Sequence, residues 1–76
     1  MEGFIQVTTT TEKRADADRI ALALVEQRLA ACVQIVGPVT SVYRWKGKIE
    51  TTREWLCLIK SRAESYGAVE QAIRSL

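Results

Sequence analysis

Soft-metal or redox chemistry in this chain falls to two thiols, Cys32 and Cys57, and one thioether, Met1. There is no histidine, which removes the commonest general base and the commonest metal ligand together. A copper or zinc site needs several soft or imidazole ligands converging on one point. Two thiols on different strands do not close such a site within one subunit, which leaves a weak carboxylate and thiolate site between subunits. Free cysteines usually behave as small buried hydrophobes, and Cys57, inside W-L-C-L-I, reads that way. Glu50 and Glu54 are close in sequence but read as charges along a ladder edge rather than as an acid and base pair. The chain contains no phosphate-binding glycine loop, serine elbow or metalloprotease helix motif, so the expectation is that it is not an enzyme. Tyr43, Trp45 and Trp55 could stack on a ligand; cross-strand pairing and interface anchoring explain them as well.

These residues sit on elements that the periodicity makes legible. Phe4 to Thr9 alternates and predicts a first strand. Thr9 and Glu12 have capping-box spacing, and from about Lys13 to Leu29 the period becomes helical. Ala17, Ile20, Ala21, Leu24 and Val25 form the apolar stripe, with Arg19 and Glu26 opposite. Cys32 to Trp45 predicts a second strand, with Gly37-Pro38 marking an edge, bulge or bend, since proline cannot donate to a ladder. Alternation resumes through Val39, Ser41, Tyr43 and Trp45 to a Lys46-Gly47-Lys48 tip, which favours one bent hairpin arm over a break into two strands.

Ile49 to Ile59 predicts the third strand, and its W-L-C-L-I run is apolar on both faces. Trp55, Cys57 and Ile59 point one way, Leu56 and Leu58 the other. Right-handed crossovers put both helices on one face, so a second copy is expected to cover the other. With the hairpin folded about Lys46-Gly47, Cys57 falls opposite roughly Gly37, about five residues or ~16 Å along the strand from Cys32, too far for a disulfide. Ser61 and Glu64 repeat the capping-box spacing, and Tyr66, Val69, Ile73 and Leu76 recur at a helical interval. Gly67 weakens that helix by about 1 kcal/mol relative to alanine.

Seventy-six residues make one domain at most, near the size at which a lone core is only marginally stable. A net charge of +2 with dispersed cations gives no ground for nucleic acid as a partner. The third strand, R-E-W-L-C-L-I-K, also lacks the pattern of an RNA-recognition motif. Lys46 and Lys48 read as edge charges that discourage wrong pairing. No apolar run has the ~18 residues of a membrane span, and M-E-G-F-I-Q-V has no basic and then long apolar region, so the expectations are no membrane, no secretory signal and a cytoplasmic location.

Ala30-Ala31-Cys32-Val33, followed at the expected distance by Tyr43-x-Trp45-x-Gly47-Lys48-Ile49-Glu50, resembles the CutA family, the divalent-cation tolerance proteins. The match is collinear from about Phe4 to Leu76. The resemblance implies an α+β, ferredoxin-like β-α-β-β-α-β unit assembled as a homotrimer, with copper binding and no established catalytic reaction. Under it, Cys32 is the one residue named as a metal contact, and Tyr43, Trp45, Gly47 and Lys48 build the oligomer arm. Thr9 stands where members implicated in metal binding carry a cysteine, and the family's His-Pro-Tyr segment, last strand and last helix lie past Leu76. The chain therefore reads as a β-α-β-β-α form, one CutA-like domain over 1–76 truncated at its C-terminus, that binds copper or another divalent cation weakly. The expected role is a non-enzymatic trimer in divalent metal ion tolerance or response. The alternative, on fold analogy alone, is a regulatory module binding small molecules at subunit clefts.

Overall fold

A computed structural model describes residues 3–76. The opening alternation forms β1, Phe4–Thr11, two residues longer than predicted because its ladder continues to the pair Thr11 and Trp55. Thr9 is therefore a strand residue opposite Cys57, not a helix cap. The first helix, α1, spans Arg14–Glu26 from an N-cap at Lys13 that has no side-chain bond. The Thr11 hydroxyl instead donates to the Lys13 carbonyl at 2.8 Å. Arg14 with Asp18 and Arg19 with Asp16 pair along exposed turns, each worth a few tenths of a kcal/mol.

The end of α1 is a Schellman turn. Leu29 N–H donates to the Leu24 carbonyl at 2.9 Å and Arg28 N–H to that of Val25 at 3.1 Å. Arg28 occupies the left-handed position at φ 60°, where glycine is usual and a side chain costs about 1 kcal/mol. The chain then enters β2, Cys32–Trp45, turns, and returns as β3, Lys48–Arg62. A 3₁₀ turn, Ala63–Ser65, leads into α2, Tyr66–Arg74. The predicted second capping box is not formed. Ser61 lies within β3 opposite Ile5, and its hydroxyl donates to the Leu29 carbonyl at 2.6 Å.

All strand pairing is antiparallel in the order β1-β3-β2, so β3 is central. Ala17, Ile20 and Leu24 of α1 and Val69 of α2 meet Cys57 and Ile59 of β3 in one buried cluster. Val7, Val33, Ile35 and Trp55 pack against its margin. This places both helices on one face of the sheet and gives the expected α+β class, with the Ala17 and Ala21 side of α1 letting the helix lie close. Val25, expected in the stripe, is exposed, since it lies at the end of the helix where the sheet no longer covers it.

Candidate functional site

Among the described residues, nothing covers the face of the sheet opposite the helices. Strand alternation assigns it Phe4, Gln6, Thr8 and Thr10 of β1, Leu56, Leu58, Lys60 and Arg62 of β3, and Cys32, Gln34 and Val36 of β2. Leu56 and Leu58 are half-buried and Val36 and Phe4 are exposed, on a chain whose apolar burial is already small.

The register between β2 and β3 shifts between Val36 and Val39. Val36 faces Leu56 and Val39 faces Glu54, so Gly37 and Pro38 together oppose the single residue Trp55. This is a β-bulge, and the Gly37-Pro38 peptide within it is cis. One extra residue exchanges the two faces of the strand. Val33 and Ile35 point to the core, but beyond the bulge Val39, Ser41, Tyr43 and Trp45 join the uncovered face. Gly37 makes this possible by close approach, since a Cβ there would lie 2.8 Å from Trp55 Cε3 and 3.1 Å from the Glu54 carbonyl oxygen. Arg14, 5.1 Å from the centroid of the Trp55 ring, helps hold that ring over the bulge.

Past the bulge, seven residue pairs form the arm, a ladder ~20 Å long. Trp45 pairs with Lys48 across a two-residue turn in which Lys46 at φ 51° and Gly47 at φ 78° both have the left-handed conformation a type I′ turn requires. Lys46 Nζ lies 5.8 Å from the centroid of the Trp45 ring. Val42, Trp45 and Ile49 are 65%, 59% and 61% exposed, more apolar surface than an arm in water alone would carry. On the arm's continuation of the uncovered face, Thr52 Oγ1, opposite Ser41, is buried without a hydrogen-bond partner among the described residues. Periodicity could not single out Thr52, because the orphaning depends on the pairing register.

Cys32 and Cys57 are both free thiols. Cys57 lies opposite Ile35, not Gly37: the Trp45 and Lys48 register alone would put it opposite Val36 and the bulge shifts it one residue further, which leaves it three residues from Cys32, ~10 Å along the strand and on the other face. Cys57 is fully buried, and burial, reinforced by the charge of Asp18, pushes its thiol above the ordinary range. Cys32 is exposed on the open face, directly across the ladder from Lys60. No cluster of three or more Cys, Asp or Glu ligands occurs among the described residues, and Met1 lies outside them. The residues around Cys32 in one subunit therefore do not fit a copper or zinc centre, since a lone thiol opposite an ammonium group lacks the converging donors.

The site is thus an uncovered, partly apolar face of an α+β sheet that continues into a projecting arm, with the Cys32 thiol exposed on it. A family model for the CutA1 divalent ion tolerance protein matches residues 5–76, and the chain belongs to that family. It is 40% identical over 76 residues to the divalent-cation tolerance protein CutA of Thermus thermophilus, covering all of this chain and 72% of that one. It is 46% identical over 70 residues to protein CutA of Homo sapiens, covering 92% of this chain but only 38% of the human one. Among solved structures, CutA1 from Oryza sativa superposes with a TM-score of 0.93 at 34% identity, over 97% of this chain and 68% of that one. No helix among the described residues is long and apolar enough to cross a membrane.

Proposed function

We propose that this chain acts in tolerance of divalent metal ions, copper among them, as a non-enzymatic homotrimer of one CutA-like domain in the cytoplasm. The observation that carries the reading is the uncovered face that holds Leu56 and Leu58 and, beyond the bulge, Val39, Tyr43 and Trp45. Buried apolar area is the main driving force for association, and this face offers it through Leu56, Leu58, Val36, Val39, Tyr43 and Trp45, with Glu50, Thr52 and Glu54 beside them on the arm. The unpartnered Thr52 hydroxyl supports the same reading, because a neighbouring arm laid along the strip would supply the missing partner. Tyr43, Trp45, Gly47 and Lys48 shape the arm that reaches the neighbour.

Copper contact at Cys32 is then a property of the assembly. One subunit holds a single exposed thiol there, so binding is weak and needs donors from adjacent copies. Titrating the purified protein with Cu(I) and Zn(II) by calorimetry, before and after Cys32→Ser, is the test. Weak binding that disappears with the substitution and with dissociation of the subunits is expected. Tight binding that survives Cys32→Ser would show that this residue is not a ligand.

A further inference from the structure

At the end of the sheet remote from the arm, a groove of about 430 Å³ opens between the last turn of α1, the start of β2 and the end of β3. Its larger apolar side chains are Phe4, Val25 and Leu29, its charged ones are Arg28, Lys60 and Arg62, and among the described residues it has no acidic lining. Lys60 and Arg62 stand two residues apart on one face of β3, ~7 Å between Cα atoms, where like charges repel unless an anion intervenes. Arg62 lies 5.9 Å from the centroid of the Phe4 ring and reaches Glu64 at 3.6 Å, an exposed pair that compensates it only slightly. Neither Arg28 nor Lys60 has an ion-pair partner among the described residues.

Arg28 is the residue the fold does not account for. Its left-handed position in the Schellman turn favours glycine, and nothing in the capping bonds uses its side chain. The same turn consumes the Leu24 and Val25 carbonyls, which reduces the negative character of this helix end. The bond from the Ser61 hydroxyl to the Leu29 carbonyl ties β3 to the loop that carries Arg28, so the two cationic walls are fixed relative to each other.

We propose that this groove binds a small amphipathic organic anion, a carboxylate carried on an aromatic or branched aliphatic body. The carboxylate meets Arg28 and Lys60, and the body lies against Phe4, Val25 and Leu29. A guanidinium matches a carboxylate through two parallel hydrogen bonds, and a cavity of this size holds one molecule of that class. A bare inorganic anion would use the charges and leave the apolar wall idle. The groove uses neither Cys32 nor the arm, but Phe4, Lys60 and Arg62 belong to the face that association covers, so the proposal requires this end of the face to stay open in the assembled protein.

The test is amide chemical-shift titration of the labelled protein with indole-3-acetate, indole-3-acetamide and inorganic phosphate. Saturable shifts confined to Val25–Ala31 and Lys60–Arg62 are expected from indole-3-acetate, with the acetamide and phosphate each binding at least about fivefold more weakly. Lys60→Gln should weaken indole-3-acetate about five- to tenfold, and Lys48→Gln at the arm tip should not. Arg28→Gly should weaken it by a similar factor while raising the thermal midpoint, because glycine suits the turn better. Equal binding of acetate and acetamide would reduce the groove to an apolar patch and overturn the proposal. So would shifts elsewhere, phosphate binding as strong as that of indole-3-acetate, or undiminished binding by the Arg28→Gly protein.

Discussion

The two cysteines have the same chemistry and opposite circumstances. Cys57 is sealed between the helices and β3, and its thiol is favoured over thiolate by burial first and by Asp18 second. Its folded pKa is raised above the unfolded value, so the resulting stability is fully present below about pH 8.5 and is lost as pH rises through the folded pKa. Chemical denaturation should therefore show stability falling from about pH 8.5 upward. Cys57→Ala should flatten that slope while costing ~1–2 kcal/mol near neutral pH for the cavity. In native protein, a thiol reagent should leave Cys57 unmodified until the chain unfolds. Cys32 should react quickly in dissociated subunits and slowly once the open face is covered, which a labelling series over protein concentration would resolve.

Within the elements, the bulge sets the orientation of the arm. Gly37→Ala forces a methyl group against the Trp55 ring and the Glu54 carbonyl, contacts that a rigid ring and a backbone atom cannot easily relieve. A loss of ~1–3 kcal/mol is expected, with altered tryptophan fluorescence as the ring is displaced. An unchanged melting curve would mean the register can slip at no cost. Thr52→Val probes the arm from the other side. Removing a buried, unpartnered hydroxyl should leave the lone subunit as stable or slightly more so, yet weaken assembly if a neighbour supplies the partner. Sedimentation and melting of the same sample separate the two effects.

For the whole molecule, the Cα extents of 39 × 25 × 22 Å describe a small body with a projection, and the projection carries much of the exposed apolar surface. Trp45→Ala should shift sedimentation equilibrium toward lighter species at micromolar concentration while the far-ultraviolet circular dichroism stays nearly constant, since Trp45 contributes to no buried cluster within the subunit. A folded wild-type monomer at that concentration would remove the basis for the assembly reading. The outer edge of β1 has no strand partner among the described residues, so loose self-association through that edge would appear as species heavier than the main one.

Element types, their order and the hairpin tip are written locally in the sequence. Periods of two and of about 3.6 residues need only near neighbours, and Lys46-Gly47 supplies the backbone freedom of a two-residue turn where the alternation reverses. The two-faced apolar run at Trp55 to Ile59 likewise showed, from residue types alone, that β3 carries apolar side chains on both faces, Cys57 and Ile59 in the core and Leu56 and Leu58 on the open side. The capping boxes failed because Thr9 and Ser61 had a competing use. Strand pairing claimed both, opposite Cys57 and Ile5, and a ladder established over many residues outweighs one cap bond. Which surface Tyr43 and Trp45 share with Cys32, the orphaning of Thr52 and the meeting of Arg28 with Lys60 and Arg62 were decided only by tertiary structure. Each depends on a register shift or on contact between segments far apart in the chain, and a one-residue bulge reverses every side chain beyond it without altering the alternation that can be read in sequence.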